Sequence, residues 1–139
     1  MNRTILIAFA ALGALAGPAS AADVTGLWAT PTNGGHVEIS RCGASLCGKL
    51  VTSNQIRTNP ALKDIRNKDA AQQGRTLKGL LLLSDFTGGP AKWSGGKVYN
   101  PDDGGTYAGT LEMISDTQLK LKGCIVAPLC KTQVWNRVK

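Results

Sequence analysis

Apolar and polar residues alternate with a period of two along most of the chain, which is the pattern of β-strands that bury one face. Clusters of Gly, Pro, Asn and Asp interrupt the alternation, and hardly any stretch keeps the apolar stripe of a helix. The pattern therefore predicts an all-β protein whose short strands follow one another as an antiparallel meander. The predicted strands cover residues 25–30, 36–41, 46–52, 79–84, 91–93, 97–99, 105–113, 117–124 and 131–138.

Two of the turns between these strands have explicit turn chemistry. Asn33-Gly34-Gly35 is typical of a tight hairpin, and residues 100–105 combine a proline with aspartates and glycines. A sheet of short strands exposes unpaired edges unless it closes on itself. We therefore expect a small antiparallel up-and-down barrel of about eight strands.

Residues 54–78 do not fit the meander, because this segment is polar and too long for a hairpin loop. Asn59 and Pro60 predict a short helix that Asn59 caps and that runs to Ile65. Asp69 is expected to cap a further helical turn that ends at Gln73. The prediction is thus a barrel with one long loop that carries short helical insertions.

Residues 1–22 have the features of a cleaved Sec-type signal peptide. Arg3 supplies a positive charge, residues 5–16 form an apolar run, and Ala19-Ser20-Ala21 matches a small-x-small cleavage site. The apolar run is too short to span a bilayer, and no cysteine stands at the cleavage point as in a lipoprotein. We expect residues 23–139 to form a single domain in the periplasm or the secreted fraction, with no transmembrane span.

Export changes the interpretation of the four cysteines, because thiols outside the cytoplasm usually form disulfides. Three connectivities are possible, and we favour the local pairs Cys42–Cys47 and Cys124–Cys130, since each pair brackets a short turn-like stretch. A tetrathiolate zinc site is disfavoured because the spacing is wider than usual for that metal. Redox catalysis is also disfavoured, since neither pair is Cys-x-x-Cys.

The composition, 42% apolar and 18% charged, is that of one globular core, and the chain carries a net charge of +7. Scattered lysines can account for this charge as a means of keeping the surface soluble, and anionic components of the cell envelope are the alternative partners. Nucleic-acid binding is disfavoured by export and by the lack of aromatic residues interleaved with the basic ones.

The first and last predicted strands carry residues that could pair if the sheet closes. Gly26-Leu27-Trp28 opens the first strand and Trp135-Asn136-Arg137 closes the last, so barrel closure would bring these strands side by side. Arg137 would then stack on Trp28 and cover one end of the barrel. This arrangement resembles the Gly-x-Trp … Arg closure of lipocalins and their relatives.

A longer series of motifs resembles the bacterial exported family called domain of unknown function 2147. The resemblance implies a lipocalin-like barrel in the cell envelope and brings no established reaction. Where members of that family often have Arg-x-Arg-Pro, this chain has Gln73-Gly74-Arg75-Thr76, which implies weaker binding of any group that the first arginine contacts. The matching residues are Gly26-Leu27-Trp28, Cys42-Gly43, Leu46-Cys47-Gly48, Asp64, Asn67, Asp69, Arg75, Leu77, Gly79-Leu80, residues 93–104, Thr106-Tyr107, residues 119–124 and residues 135–138.

The sequence offers no recognisable catalytic or cofactor-binding constellation. The single histidine, His36, shares a strand face with Glu38, which we interpret as an exposed face. Gly-x-Ser-x-Gly, Ser-x-x-Lys and histidine-rich metal spacings are all missing. We therefore expect a protein that is not an enzyme and that needs no cofactor.

Two groups of residues are candidates for ligand contacts. Trp93, Tyr99 and Tyr107 could line a pocket, although core packing is the simpler role for aromatic side chains of a small barrel. Arg66, Asn67 and Arg75 share the long loop, where they either contact a ligand or hold the loop across a barrel mouth.

These features support two hypotheses about function. The first is a barrel that binds one small apolar or amphipathic ligand, with an entrance shaped by residues 54–78. The alternative is a structural or interaction module that binds anionic envelope components or a partner protein through its basic surface.

Overall fold

The computed structural model describes residue 13, residues 23–125 and residues 129–139. Eight antiparallel strands in sequential order form a closed barrel, which confirms the predicted fold class. A long loop that contains one α-helix and one 3-10 helix connects β3 to β4. The strands are β1 (Gly26–Ala29), β2 (His36–Cys42), β3 (Ser45–Thr52), β4 (Leu81–Gly88), β5 (Lys92–Asn100), β6 (Gly105–Ser115), β7 (Gln118–Cys124) and β8 (Cys130–Arg137).

The largest differences from the predicted strands are in β4 and β5, where the backbone is irregular. Two predicted strands, 91–93 and 97–99, are replaced by the single strand β5, which begins at Lys92 and whose pairing with β6 shifts register between Trp93 and Gly96. The predicted strand 79–84 is β4, which begins at Leu81 and extends to Gly88. Asp85 in β4 has a φ of 62°, so the simple alternation breaks there.

The long loop contains a helix that differs from the predicted one. Helix α1 covers Asn54–Thr58, and its N-cap is Ser53, whose Oγ accepts a hydrogen bond from the Ile56 N–H at 3.2 Å. Asn59 was expected to begin a helix, but it ends α1 instead. The second helical turn is present as the 3-10 helix Ala70–Gln72, which Asp69 caps.

Strands β1 and β8 close the barrel through a short ladder in which Trp28 faces Arg137 and Ala29 faces Asn136. The guanidinium of Arg137 lies 4.3 Å from the centre of the Trp28 ring. Its nitrogens also donate to the carbonyl of Asp116 at 2.7 Å, to that of Thr25 at 3.1 Å and to that of Asp23. Residues 23–25 therefore lie across this end of the barrel.

Both local disulfides of the predicted fold are present. Cys42–Cys47 joins the ends of β2 and β3, and Cys124–Cys130 joins the ends of β7 and β8. Residues 126–128, between Cys124 and Cys130 in the sequence, lie outside the described residues, as does the expected signal peptide apart from Gly13.

Large apolar side chains fill the interior of the barrel. The ring of Phe86 is fully buried, and it packs where Gly96 and Gly109 leave space: a Cβ at Gly96 would lie 2.4 Å from the ring and one at Gly109 2.9 Å from it. Interiors of small barrels have room for either side chains or one ligand, and here side chains take the space. The cluster contains Val24, Trp28, Val37, Ile39, Leu46, Leu50, Ile56, Leu83, Phe86, Trp93, Leu111, Leu119, Leu121 and Trp135.

The contact between Phe86 and Gly96 predicts a stability difference between two glycine substitutions. Gly96→Ala should lower the free energy of unfolding by about 1–3 kcal/mol, because the new methyl group would overlap the buried ring. Gly74→Ala is the matched control, since an added Cβ there meets no atom within 4 Å and should change stability by less than about 0.5 kcal/mol. Urea denaturation of the two variants measures the difference, and equal stabilities would contradict the packed interior.

Candidate functional site

A cleft of about 470 Å³ lies between the long loop and the outer face of the barrel. Ser84 and Lys97 form a cross-strand pair in this cleft, next to the pair Leu83 and Val98, which packs into the core. Since side chains alternate between the two faces of a strand, Ser84 and Lys97 point away from the barrel interior. Its lining residues are Asn67, Lys68, Asp69, Gln72, Arg75, Leu81, Leu82, Ser84, Lys97, Tyr99, Gly104, Gly105 and Thr106.

The buried carboxylate of Asp64 connects the long loop to this face of the sheet. Its Oδ1 accepts a hydrogen bond from the Tyr99 hydroxyl at 2.6 Å. Its Oδ2 accepts from the Asn67 amide at 2.9 Å and from the Arg75 guanidinium at 3.0 Å. The side chain of Asp64 has no exposed surface, whereas 44% of the Arg75 side chain is exposed. Asp64 is therefore the centre of a hydrogen-bonded cluster that borders the cleft.

The cluster shifts the ionisation of both of its acids. Burial raises the pKa of Asp64, but the hydrogen bonds from Tyr99, Asn67 and Arg75, with the charge of Arg75, outweigh it, so the pKa lies below its usual value. Burial, followed by the hydrogen bond to Asp64, raises the pKa of Tyr99 to about 12. At neutral pH the cluster thus contains an ionised carboxylate and a protonated phenol.

A second set of contacts fixes the loop against the turn between β5 and β6. Arg66 donates a hydrogen bond to the Asp102 carbonyl at 2.8 Å. Gly104 lies against the loop backbone so closely that a Cβ there would sit 1.9 Å from the Arg66 carbonyl oxygen, and its φ is 71°. Only glycine fits this position. One wall of the cleft is therefore held at two points, by Asp64 and by Arg66.

The structure separates the candidate ligand residues into two groups. Asn67, Arg75 and Tyr99 meet at Asp64 and line the cleft. The other three lie elsewhere: Arg66 bonds to the β5–β6 turn, Trp93 is buried in the core, and the Tyr107 hydroxyl donates to Asp103.

Asp64 is the site residue that analysis of the sequence missed. The available signal was the spacing of Asp64 and Asn67 in the family motif, where the Asn67 N–H closes a turn by donating to the Asp64 carbonyl at 3.1 Å. That spacing does not show that the Asp64 carboxylate is buried, because burial in a polar segment depends on residues that are distant in the sequence.

Other expectations about chemistry concern residues away from the cleft. His36 is half-buried and Glu38 exposed on β2, whose neighbours Val37 and Ile39 point inward. In residues 23–125 and 129–139, no group of His, Cys, Asp or Glu side chains could hold a metal ion. Among the described helices, none has the length and apolar character needed to cross a membrane.

Comparison with known proteins agrees with the observed fold. The model of a family described as uncharacterized protein conserved in bacteria (DUF2147) matches residues 26–137. The chain belongs to the DUF2147 family. The DUF2147 barrel is also similar to a solved structure, protein HP1028 from the human pathogen Helicobacter pylori, described as a member of the lipocalin family. The TM-score is 0.76 with 24% sequence identity, over 85% of this chain and 84% of that chain.

At this identity the similarity to HP1028 shows a shared fold alone, so the DUF2147 chain has a lipocalin-like barrel. No curated protein matches the chain.

The Asp64 cluster predicts an acid-dependent contribution to stability. A carboxyl group whose pKa is lowered by folding stabilises the protein above its unfolded pKa of about 4, and the contribution is lost as the pH falls through the folded pKa. Asp64→Asn places an amide opposite the donors of Asn67 and Arg75, and should lower the unfolding free energy at pH 7 by about 2–4 kcal/mol. Urea denaturation at a series of pH values measures both effects.

The difference between wild type and Asp64→Asn should shrink as the pH falls below about 4. Asp102→Asn is the control, because Asp102 is exposed and contacts Arg66 through its backbone carbonyl. A difference that stays constant down to low pH would show that the ionised carboxylate is not what stabilises the loop.

Proposed function

We propose that this protein is a non-enzymatic binding protein of the periplasm or the secreted fraction, and that it holds one small amphipathic molecule in the cleft between the long loop and the barrel. The lipocalin-like fold supports binding of a small ligand in general terms. The site, the ligand class and the location are the parts that we propose.

The observation that carries this proposal is the size and lining of the cleft. A volume of about 470 Å³ falls within the range of small-molecule sites, which combine apolar walls with a few polar groups. Leu81, Leu82 and the Tyr99 ring supply apolar surface, while Ser84 and Thr106 supply hydroxyl groups. This mixture matches an amphipathic molecule better than a purely apolar one.

The packed interior is the reason for choosing the cleft over the barrel centre. Phe86 and three tryptophans are buried there with at most 5% exposure, and a ligand would have to displace them. The long loop instead leaves space outside the barrel. This is a change from the expected entrance into the barrel, although residues 54–78 still form one side of the site.

The ionisation of the cluster supports a role in binding over a role in catalysis. A catalytic base needs an oxygen that a substrate can reach. Both oxygens of Asp64 already accept hydrogen bonds, and its side chain has no exposed surface. The raised pKa of Tyr99 keeps its hydroxyl protonated, so it donates to Asp64 at neutral pH.

Binding of anionic envelope components through the basic surface remains the alternative. Several of the surface cations have acidic partners, which weakens the case for a free basic patch: Arg41 pairs with Asp23 and Lys120 with Glu112. Exposed pairs of this kind are weak, so they do not prevent these cations from binding an anionic surface. The alternative function would be detected as binding to anionic vesicles that is sensitive to salt and does not involve the cleft.

Location can be tested through the mature N-terminus. Both disulfides favour an oxidising compartment, and Val24 is buried at the barrel end, so the mature chain must retain residues 23–25 for this contact. We expect N-terminal sequencing of protein recovered from the periplasm or the medium to begin at Ala22 or Asp23, directly after the small residues of the cleavage site. Recovery from the cytoplasm with residues 1–22 attached would contradict the proposed location.

Filling the cleft should weaken binding. Thr106→Trp places an indole in the cleft from an exposed position on β6, whereas Thr132→Trp makes the same change on β8, away from it. With octanoate and octyl glucoside as probes, amide NMR titrations should show shifts at cleft residues in wild type and in Thr132→Trp. Thr106→Trp should bind both probes at least about tenfold more weakly.

Absence of any shift at cleft residues with both probes would remove the cleft from the proposal. Shifts confined to the interior core residues would return the site to the barrel centre.

A further inference from the structure

We propose that the ligand of this cleft carries a carboxylate or phosphate group bound by Arg75, and that Asp64 acts as a positioning residue that holds the Arg75 guanidinium at the cleft wall. The inference rests on the proposed function, because it names the chemical class of the ligand for the same site.

Arg75 lines the cleft, and its contact with Asp64 leaves most of its N–H donors unused. Its Nη2 bonds to Asp64, and within the described residues its side chain makes no other hydrogen bond. A guanidinium has five N–H donors in a planar fork, which matches the two oxygens of a carboxylate or phosphate. Its carbon lies 6.0 Å from the centre of the Tyr99 ring, so the fork sits beside the apolar surface of the cleft.

The cluster beneath Arg75 keeps the guanidinium in one orientation without using up its charge. Asp64 divides its negative charge among three donors, and two of them, Tyr99 and Asn67, are neutral. The carboxylate is buried and the guanidinium is half-exposed at the cleft, so a second anion can reach Arg75 from the side away from Asp64. An arginine that is already oriented loses less conformational freedom when it binds.

The other charged residues that line the cleft are two lysines and one aspartate. Lys68 and Lys97 also line it, and Asp69 is its one acidic lining residue. The Asp69 carboxylate accepts hydrogen bonds from the Ala71 N–H and the Gln72 amide. Lys97 has an acidic neighbour of its own, Asp85, at 3.4 Å. Arg75 differs from both lysines in having a planar fork of donors and in being oriented by a hydrogen bond to a buried carboxylate, so it is the cation that we expect to select an anion.

Three probes with the same alkyl chain test the charge of the ligand. Octanoate and octyl phosphate carry the two candidate groups, and octyl glucoside is the neutral match. Calorimetric titration of the full mature chain at pH 7 should show at least one anion binding about tenfold or more tightly than octyl glucoside. The affinities for octanoate and octyl phosphate, compared with each other, decide between a carboxylate and a phosphate.

Two variants with the same loss of charge test the residue. Arg75→Gln should weaken binding of the preferred anion about tenfold to hundredfold more than it weakens binding of octyl glucoside. Arg57→Gln is the control, because Arg57 is an exposed arginine of the same loop that does not line the cleft. Arg75→Lys should recover part of the anion affinity, since it restores the charge without the fork.

Asp64→Asn separates positioning from a merely structural role. Loss of structure alone would weaken the anionic and the neutral probe alike, whereas loss of positioning should reduce the ratio of the two affinities. If Arg75→Gln or Asp64→Asn does not fold, the Arg75 side-chain Nε–H signal of wild type still decides, because the preferred anion should shift it and octyl glucoside should not.

The outcomes also distinguish this inference from the proposed function. If octyl glucoside binds as tightly as both anions, or if Arg75→Gln loses no more anion affinity than Arg57→Gln, the anion inference is wrong and binding in the cleft stands. If none of the three probes shifts any cleft residue, the proposed function fails and the inference fails with it.

Discussion

The stack of Arg137 on Trp28 is the contact on which the rest of the molecule depends. Strand β1 has four residues and pairs with β8 through two residue pairs, so the ladder that closes the barrel is short. Arg137 adds hydrogen bonds to the carbonyls of Asp116, Thr25 and Asp23, which tie β8 to the β6–β7 turn and to the segment before β1. Without this seam, β1 and β8 would be open edges, and the core would lose its cover at that end.

Large side chains fill the closed barrel, so the space for a ligand lies outside it. The glycines at positions 96 and 109, a cross-strand pair on β5 and β6, leave room inside the barrel for the Phe86 ring of β4. In the described part of the chain, no second sheet covers the outer face of β4 and β5, and the long loop covers only part of it. The cleft is the space that remains between this loop, held by Asp64, and the sheet.

The sequence predicted what depends on local pattern and failed where distant contacts decide. Alternation identified the strands, and the turn-like stretches between cysteines identified both disulfides. The helix capped by Asn59 was wrong because Ser53 is the cap and the burial of Ile56 stabilises the earlier turn. Asp64 was missed because its burial depends on Tyr99, which lies 35 residues further along the chain.

The ionised state of Asp64 is itself an argument for a function of the cluster. A loop that had only to be attached to the sheet could use an apolar side chain at this position, because replacing buried ion pairs by apolar residues is often neutral or stabilising. A carboxylate in this position costs desolvation, which three hydrogen bonds have to offset. What the carboxylate provides and an apolar group cannot is a fixed guanidinium at the edge of a cleft. The proposed role of Arg75 in binding thus accounts for a carboxylate, and not an apolar side chain, at position 64.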